Sequence, residues 1–206
     1  VTTARETPRL SSPRRRRSVD AARRASLLQR AGEVLLDEGF TALTVDDLAR
    51  RLRCSKSTLY GVAATKEQLV VAVTKRFFED ATRRVESAIA AVDDPVTRIE
   101  VYLKTSGEVM ARQSSHFFRD MVAYAPTADI YRLNSTAAAR RVREIIEDGV
   151  RSGAFRDIHP EFAGHLVALG LEGIMSGRLQ QEAGLSTGQA YAQLGDLLVK
   201  GLRTRG

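Results

Sequence analysis

Apolar residues recur along this chain at spacings of three and four, and no segment alternates apolar and polar positions as a strand does. Between about Asp20 and Glu38, Leu27, Leu28, Ala31, Val34 and Leu35 share one helical face, and Gly39 follows as a stop. Thr44 and Asp47 have capping-box spacing, and Val45, Leu48, Ala49 and Leu52 then form a second stripe. Arg53-Cys54 makes a turn, after which Ser55 can cap a very short helix, Lys56 to Tyr60. Thr65 and Gln68 suggest another box, opening a long helix striped by Val70, Val73, Phe77, Ala81, Val85, Ala88 and Val92. Asp94-Pro95 reads as N-cap and first-turn proline of a helix to about Ala111. Further helices are expected over Ser115–Tyr124, stopped by Pro126, and over Thr127–Ser152, stopped by Gly153. His159-Pro160 opens an eighth helix to about Ala183, and Ser186 with Gln189 caps a ninth. The pattern predicts an all-α fold of about nine helices without internal repeats.

The short helix is the most informative element. Of Lys56, Ser57, Thr58, Leu59 and Tyr60, only Leu59 suits an interior, and the rest offer hydroxyls and a cation to something outside. A helix–turn–helix whose second helix buries one side chain and displays the others is built for contact, and double-stranded DNA fits that geometry.

Charge sharpens this reading. Residues 1–64 hold 13 Lys and Arg against 7 Asp and Glu, whereas residues 65–206 hold 19 against 18. Nearly all of the net charge of +7 therefore sits beside the helix-turn-helix, as a phosphate-binding footprint would. Residues 1–18, with the run Arg14, Arg15, Arg16 and Arg17, read as a disordered basic arm that adds affinity more than specificity. No basic helix with an exposed aromatic face suggests a membrane surface, and no apolar run approaches the ~18–20 residues of a membrane span. The Arg-rich N-terminus lacks the apolar stretch of a secretory signal. A single cysteine, Cys54, excludes an internal disulfide and suits a reducing cytoplasm, with the side chain a small hydrophobe in the turn.

Other chemistry is sparse. His116, His159 and His165 do not form a metal motif; His116 and Asp120 are four residues apart, and a metal or polar effector site there needs His165 brought to them from another helix. No phosphate loop or nucleophile elbow is present, and no cofactor or catalytic residue is expected. The eighth helix is dotted with small residues, among them Gly164, Gly170, Gly173 and Gly177; each helical glycine costs about 1 kcal/mol against alanine, so close helix approach is the simplest reason. Leu194, Leu197, Leu198 and Leu202 stripe the ninth helix. Tyr102, Met110, Phe117, Phe118, Met121, Tyr124, Tyr131, Leu166 and Leu169 cluster mid-chain, as plain core or as the lining of a cavity.

The order VDDLARRL, SKSTLY and then Lys-Glu opening a long helix resembles the tetracycline-repressor (TetR) family of bacterial transcription regulators, and LLQRAGEVLLDEGF fits its first helix. The resemblance covers about Arg23 to Val73 and beyond that rests on size and helical layout. It implies a DNA-binding domain over residues 19–66, with Ser55, Lys56, Ser57, Thr58 and Tyr60 at the major groove and Thr44 and Lys66 on phosphates. Lys56 and Ser57 are expected at base edges, and Thr58 and Tyr60 at backbone. Residues 67–206 are then a larger effector-binding and dimerisation domain. There the mid-chain cluster would line a pocket for an apolar or aromatic small molecule, and the last two helices would pair with their copies in a homodimer. The chain departs from the family at Gly61-Val62-Ala63-Ala64, where a phenylalanine usually wedges the reading helix against the next. The expectation is a sequence-specific regulator, a repressor released from a palindromic operator by an effector. An effector-independent nucleoid-type binder, or a small-molecule-binding or enzymatic helical protein with a remnant helix-turn-helix, are the alternatives.

Overall fold

The computed structural model describes residues 13–203, with the side chains of 13–19 and of residue 180 left aside. Ten helices make up this span: α1 Pro13–Glu38, α2 Val45–Leu52, α3 Lys56–Tyr60, α4 Lys66–Ile89, α5 Pro95–Met110, α6 Ser115–Ala123, α7 Ala125–Arg151, α8 Pro160–Met175, α9 Arg178–Ala183 and α10 Thr187–Leu202. Among the described residues the only β feature is an isolated bridge between Phe155 and Arg203.

Several boundaries differ from the pattern for identifiable reasons. The first helix begins at Pro13 rather than near Asp20, so the backbone of Arg14–Arg17 belongs to α1 and not to a disordered arm. Proline suits that first position because its missing N–H has no helical acceptor there. The arm expected over residues 1–12 lies outside the described residues. The expected eighth helix is two. Gly177, at φ +78°, ends α8 in the left-handed region, its amide donating to Ile174 O at 3.0 Å, and α9 starts afresh at Arg178. Pro126 opens α7 more than it stops α6, and α4 ends at Ile89, so Val92 lies beyond its stripe.

Two large apolar clusters organise the molecule. The first joins Leu27, Ala31 and Leu35 of α1, Leu48 and Leu52 of α2, and Leu59 of α3 to the first half of α4. Phe117, Phe118 and Met121 of α6 enter the same cluster, so the core runs without a break across the boundary expected near residue 66. The second packs Val85 and Ile89 of α4, Ile99 and Leu103 of α5, Val142, Ile145 and Ile146 of α7, Val167 of α8 and Val199 of α10. Helix α4 therefore contributes to both clusters and runs from the reading head (α1–α3) into the body.

Candidate nucleic-acid interface

Helix α2 starts from a complete capping box: Asp47 N donates to Thr44 Oγ1 at 3.1 Å, and Thr44 N to Asp47 Oδ2 at 3.0 Å. The Thr44 hydroxyl and amide hold the Asp47 carboxyl below its ordinary pKa. The helix ends at Arg53, the one non-glycine residue with positive φ (50°) among the described residues, with Arg53 N bonded to Arg50 O and Cys54 N to Ala49 O. Two arginines of α1 brace the motif: Arg30 donates to Leu52 O, and Arg24 to Val62 O at 3.3 Å.

Ser55 then caps α3, accepting from Thr58 N at 3.2 Å, with its hydroxyl 2.8 Å from that of Ser57 and 2.7 Å from that of Thr58. Leu59 is the anchor, 3% exposed, while Lys56, Ser57 and Tyr60 lie on the outer surface. Lys56 Nζ lies 2.6 Å from Asp46 Oδ1 of α2, and that hydrogen bond and charge raise the Lys56 pKa. An exposed pair of this kind is weak, so Asp46 orients the ammonium and gives it up to a stronger anion at small cost. At Gly61–Ala64, where the wedging phenylalanine is absent, Val62 and Ala63 pack half-buried against the first cluster.

Lys66 opens α4, half-buried, with Nζ 3.5 Å from Thr41 O. Thr65 accepts from Gln68 N at 3.2 Å, but Gln68 Oε1 reaches back to Ala64 N at 3.0 Å and not to Thr65 N, so the second capping box is only half formed. Thr44 and Lys66 flank α3 at helix starts, where free amides favour an anion. Arg50 is exposed beside Asp47 at 3.1 Å, and Arg51 pairs with Glu38.

Residues 27–73 match the model of the bacterial regulatory proteins, tetR family. The HTH-type transcriptional repressor KstR2 of Mycolicibacterium smegmatis is 25% identical over 144 residues, spanning 68% of this chain and 70% of that protein. Over these residues the chain resembles regulators of the tetR family. It is a DNA-binding transcription regulator. Solved structures share the whole fold: KstR2 of Mycobacterium tuberculosis at TM-score 0.65 and 19% identity covers 89% of this chain and 96% of that one. A transcriptional regulator of Saccharomonospora viridis in complex with choline, at TM-score 0.73 and 18% identity, covers 90% of this chain and all (100%) of that one.

In this regulator the mid-chain residues divide. Phe117, Phe118 and Met121 are buried, with Met110, Tyr124 and Tyr131 half-buried against them, and the Phe118 and Tyr131 rings meet edge to face at 5.4 Å. Tyr102 belongs to the second cluster, its hydroxyl 3.5 Å from Ala138 O and its pKa pushed up to about 12 by burial. Leu166 and Leu169 join neither cluster: they are 55% and 65% exposed on the outer face of α8, because the inward side of that helix is taken by Ala163, Val167 and Ile174. Two residues not singled out from sequence stand beside the cluster. Tyr191 of α10 is buried against Gly107, where an added Cβ would lie 2.7 Å from its own, and Gln113 follows α5. Gln113 Nε2 meets only the sulfurs of Met110 and Met175, at 3.7 and 3.8 Å, and its buried Oε1 has no partner. Gly107 is the one sequence signal for Tyr191, since an α5 glycine marks close approach.

The glycines of α8 serve internal packing. Gly164 faces Arg143 of α7, Gly170 faces Leu194 of α10 and Gly173 faces Leu179 of α9, while Gly177 supplies the break. Leu194 and Leu198 are half-buried, and Leu197 is 68% exposed. The histidines go separate ways: His116 Nδ1 lies 2.8 Å from Arg119, His165 Nδ1 lies 2.8 Å from Glu161 O, and His159 caps α8. Asp120 turns to the head instead, accepting from Phe40 N at 2.6 Å and Thr41 N at 2.8 Å. Burial pulls its pKa up, but those amides outweigh it and leave the carboxyl below its ordinary value. Gly39, at φ +79°, allows this approach: a Cβ there would sit 2.6 Å from Asp120 Oδ2. Ser114 N donates to Leu36 O at 2.8 Å, completing a polar seam between α6 and the end of α1.

Proposed function

We propose that this regulator is a cytoplasmic homodimeric repressor of a palindromic operator, released by a small apolar or aromatic effector. The carrying observation is α3, which buries Leu59 alone and turns Lys56, Ser57 and Tyr60 outward. Lys56 and Ser57 read base edges, Thr58 and Tyr60 touch backbone, Ser55 stands with them at the major groove, and Thr44 and Lys66 meet phosphates at the helix starts. In a dimer two such helices enter successive major grooves roughly 34–36 Å apart. The arginines Arg14–Arg17, now continuous with α1, add phosphate contacts. Repression follows the sense of the KstR2 relative, a repressor by name.

Dimerisation is supported by the outer face of α8 and α10. Phe162, Leu166 and Leu169 recur at one helical face, 66%, 55% and 65% exposed, and Leu197 of α10 adds 68%. Four large side chains so exposed are an interaction surface in the making. The effector site is the uncharged cluster of Phe117, Phe118, Met121 and Tyr131, with Gln113 Oε1 as its open acceptor. An effector wedged there displaces α6, and the Asp120 seam carries that shift to the head. It acts only through its better fit to the mis-spaced conformation.

Selection of tight-binding duplexes from random DNA tests this reading. It predicts an enriched palindrome with half-sites about one turn apart. Salt-sensitive binding without an enriched sequence would instead favour the nucleoid-type alternative.

A further inference from the structure

A cavity lies where α1 of the head meets α4 and α5 of the body, and its Phe77 meets the aromatic cluster at Phe117, ring centroids 6.3 Å apart. It encloses about 270 Å³, on the order of nine water volumes, and so suits a small molecule. Its floor is apolar: Leu28 and Leu36 come from α1, Val73 and Phe77 from α4, and Val109 from α5. Its rim is basic. Arg76 and Arg84 rise from α4 and Arg112 from the end of α5, against the acids Glu33 and Asp80.

The acids are already engaged. Asp80 lies 3.6 Å from Arg76 and 3.0 Å from Arg83, and Glu33 accepts from Gln29 at 3.5 Å. Of the rim guanidiniums, only Arg76 shares one of these acids. Arg84 has only Glu108, at 3.5 Å and in solvent, and Arg112 has no acidic partner among the described residues. Two arginine forks above an apolar floor match one ligand chemistry, a planar carboxylate carrying a short hydrocarbon body. Water fills such a floor poorly, and the lining itself carries three arginines against two acids.

We propose that this cleft is a binding site for a small amphiphilic carboxylate, with Arg84 and Arg112 holding the head group and Leu28, Leu36, Val73 and Phe77 the body. Its walls belong to both head and body, so an occupant fixes the angle between α1 and α4. It thereby regulates operator binding from a cleft other than the effector site proposed above, though the two meet at Phe77 and Phe117, and by linkage DNA changes its affinity in return by the same factor.

Sub-micellar decanoate, titrated calorimetrically into the full chain, provides the test, with decyltrimethylammonium as a probe of equal tail and opposite charge. The site predicts one decanoate per chain, at least tenfold weaker binding in the double variant Arg84→Ala/Arg112→Ala, and no saturable binding of the cation. Both arginines sit at the rim, so the variant's thermal melt should match that of the parent chain. Decanoate should also shift operator affinity in the parent and not in the variant. No decanoate binding, equal binding in the variant, equal binding of the cation, or an operator affinity blind to bound decanoate would each overturn the proposal. The cation arm uses the parent chain alone and stands even if the variant misfolds.

Discussion

In the proposed function Lys56 meets DNA and Asp120 ties α6 to the head. Lys56 stands on the outer surface of α3 with Asp46 steering it, and its removal should reduce affinity for the selected operator roughly ten- to a hundredfold while sparing random DNA. Parallel anisotropy titrations on the two duplexes check this. Asp120 fastens α6 to Phe40 and Thr41, and hydrogen bonds to a charged group are worth about 1.5–3 kcal/mol, so Asp120→Asn should lower stability by up to that amount in urea melts. The sign with pH follows from its lowered folded pKa. Its contribution is whole above the unfolded value, about 3.9, and fades as pH falls through the folded one, where the two proteins' stabilities should converge. Asparagine keeps an acceptor but not the charge, so the variant should also weaken effector-driven release. A role in stability alone would leave release untouched.

At the scale of elements, α3 hangs on one side chain. Leu59→Ala removes the anchor of a five-residue helix, at a cost of about 2–5 kcal/mol, and should abolish operator binding while leaving the body's helicity in circular dichroism. Helix starts were the most legible part of the sequence: the Thr44, Ser55, Asp94 and Ser186 caps all accept from the amides their spacing implied. Helix ends and faces were less so. The break at Gly177 was hidden because glycine is frequent throughout α8, and only the fold shows which glycines meet a neighbour and which takes positive φ. Leu166 and Leu169 looked like pocket residues because apolarity does not say which side of a helix faces inward when both sides carry it. Asp120 was paired in sequence with His116, four residues away, yet its partners lie about eighty residues away in chain order, and no local pattern encodes that.

For the whole molecule, the unbroken core between head and body is what would make the proposed ligand control of DNA binding mechanical. Phe40 of the α1–α2 loop stacks edge to face on Phe117 at 6.0 Å and on Tyr124 at 6.3 Å, so a shift of α6 moves both apolar and polar contacts of the head. The exposed α8–α10 face carries the other half of the account. Leu166→Glu with Leu169→Glu should give a monomer by light scattering and lose most operator affinity while keeping its helicity in circular dichroism, since neither side chain is in the core. A dimer surviving both charges would place the interface elsewhere. The most direct test of the central claim is the ratio of operator to random-duplex affinity for the parent chain and for Lys56→Ala, at two salt concentrations. The account predicts a high ratio in the parent that collapses in the variant, with similar salt slopes. Equal losses on both duplexes would contradict it, leaving Lys56 a phosphate contact and α3 without a reading function.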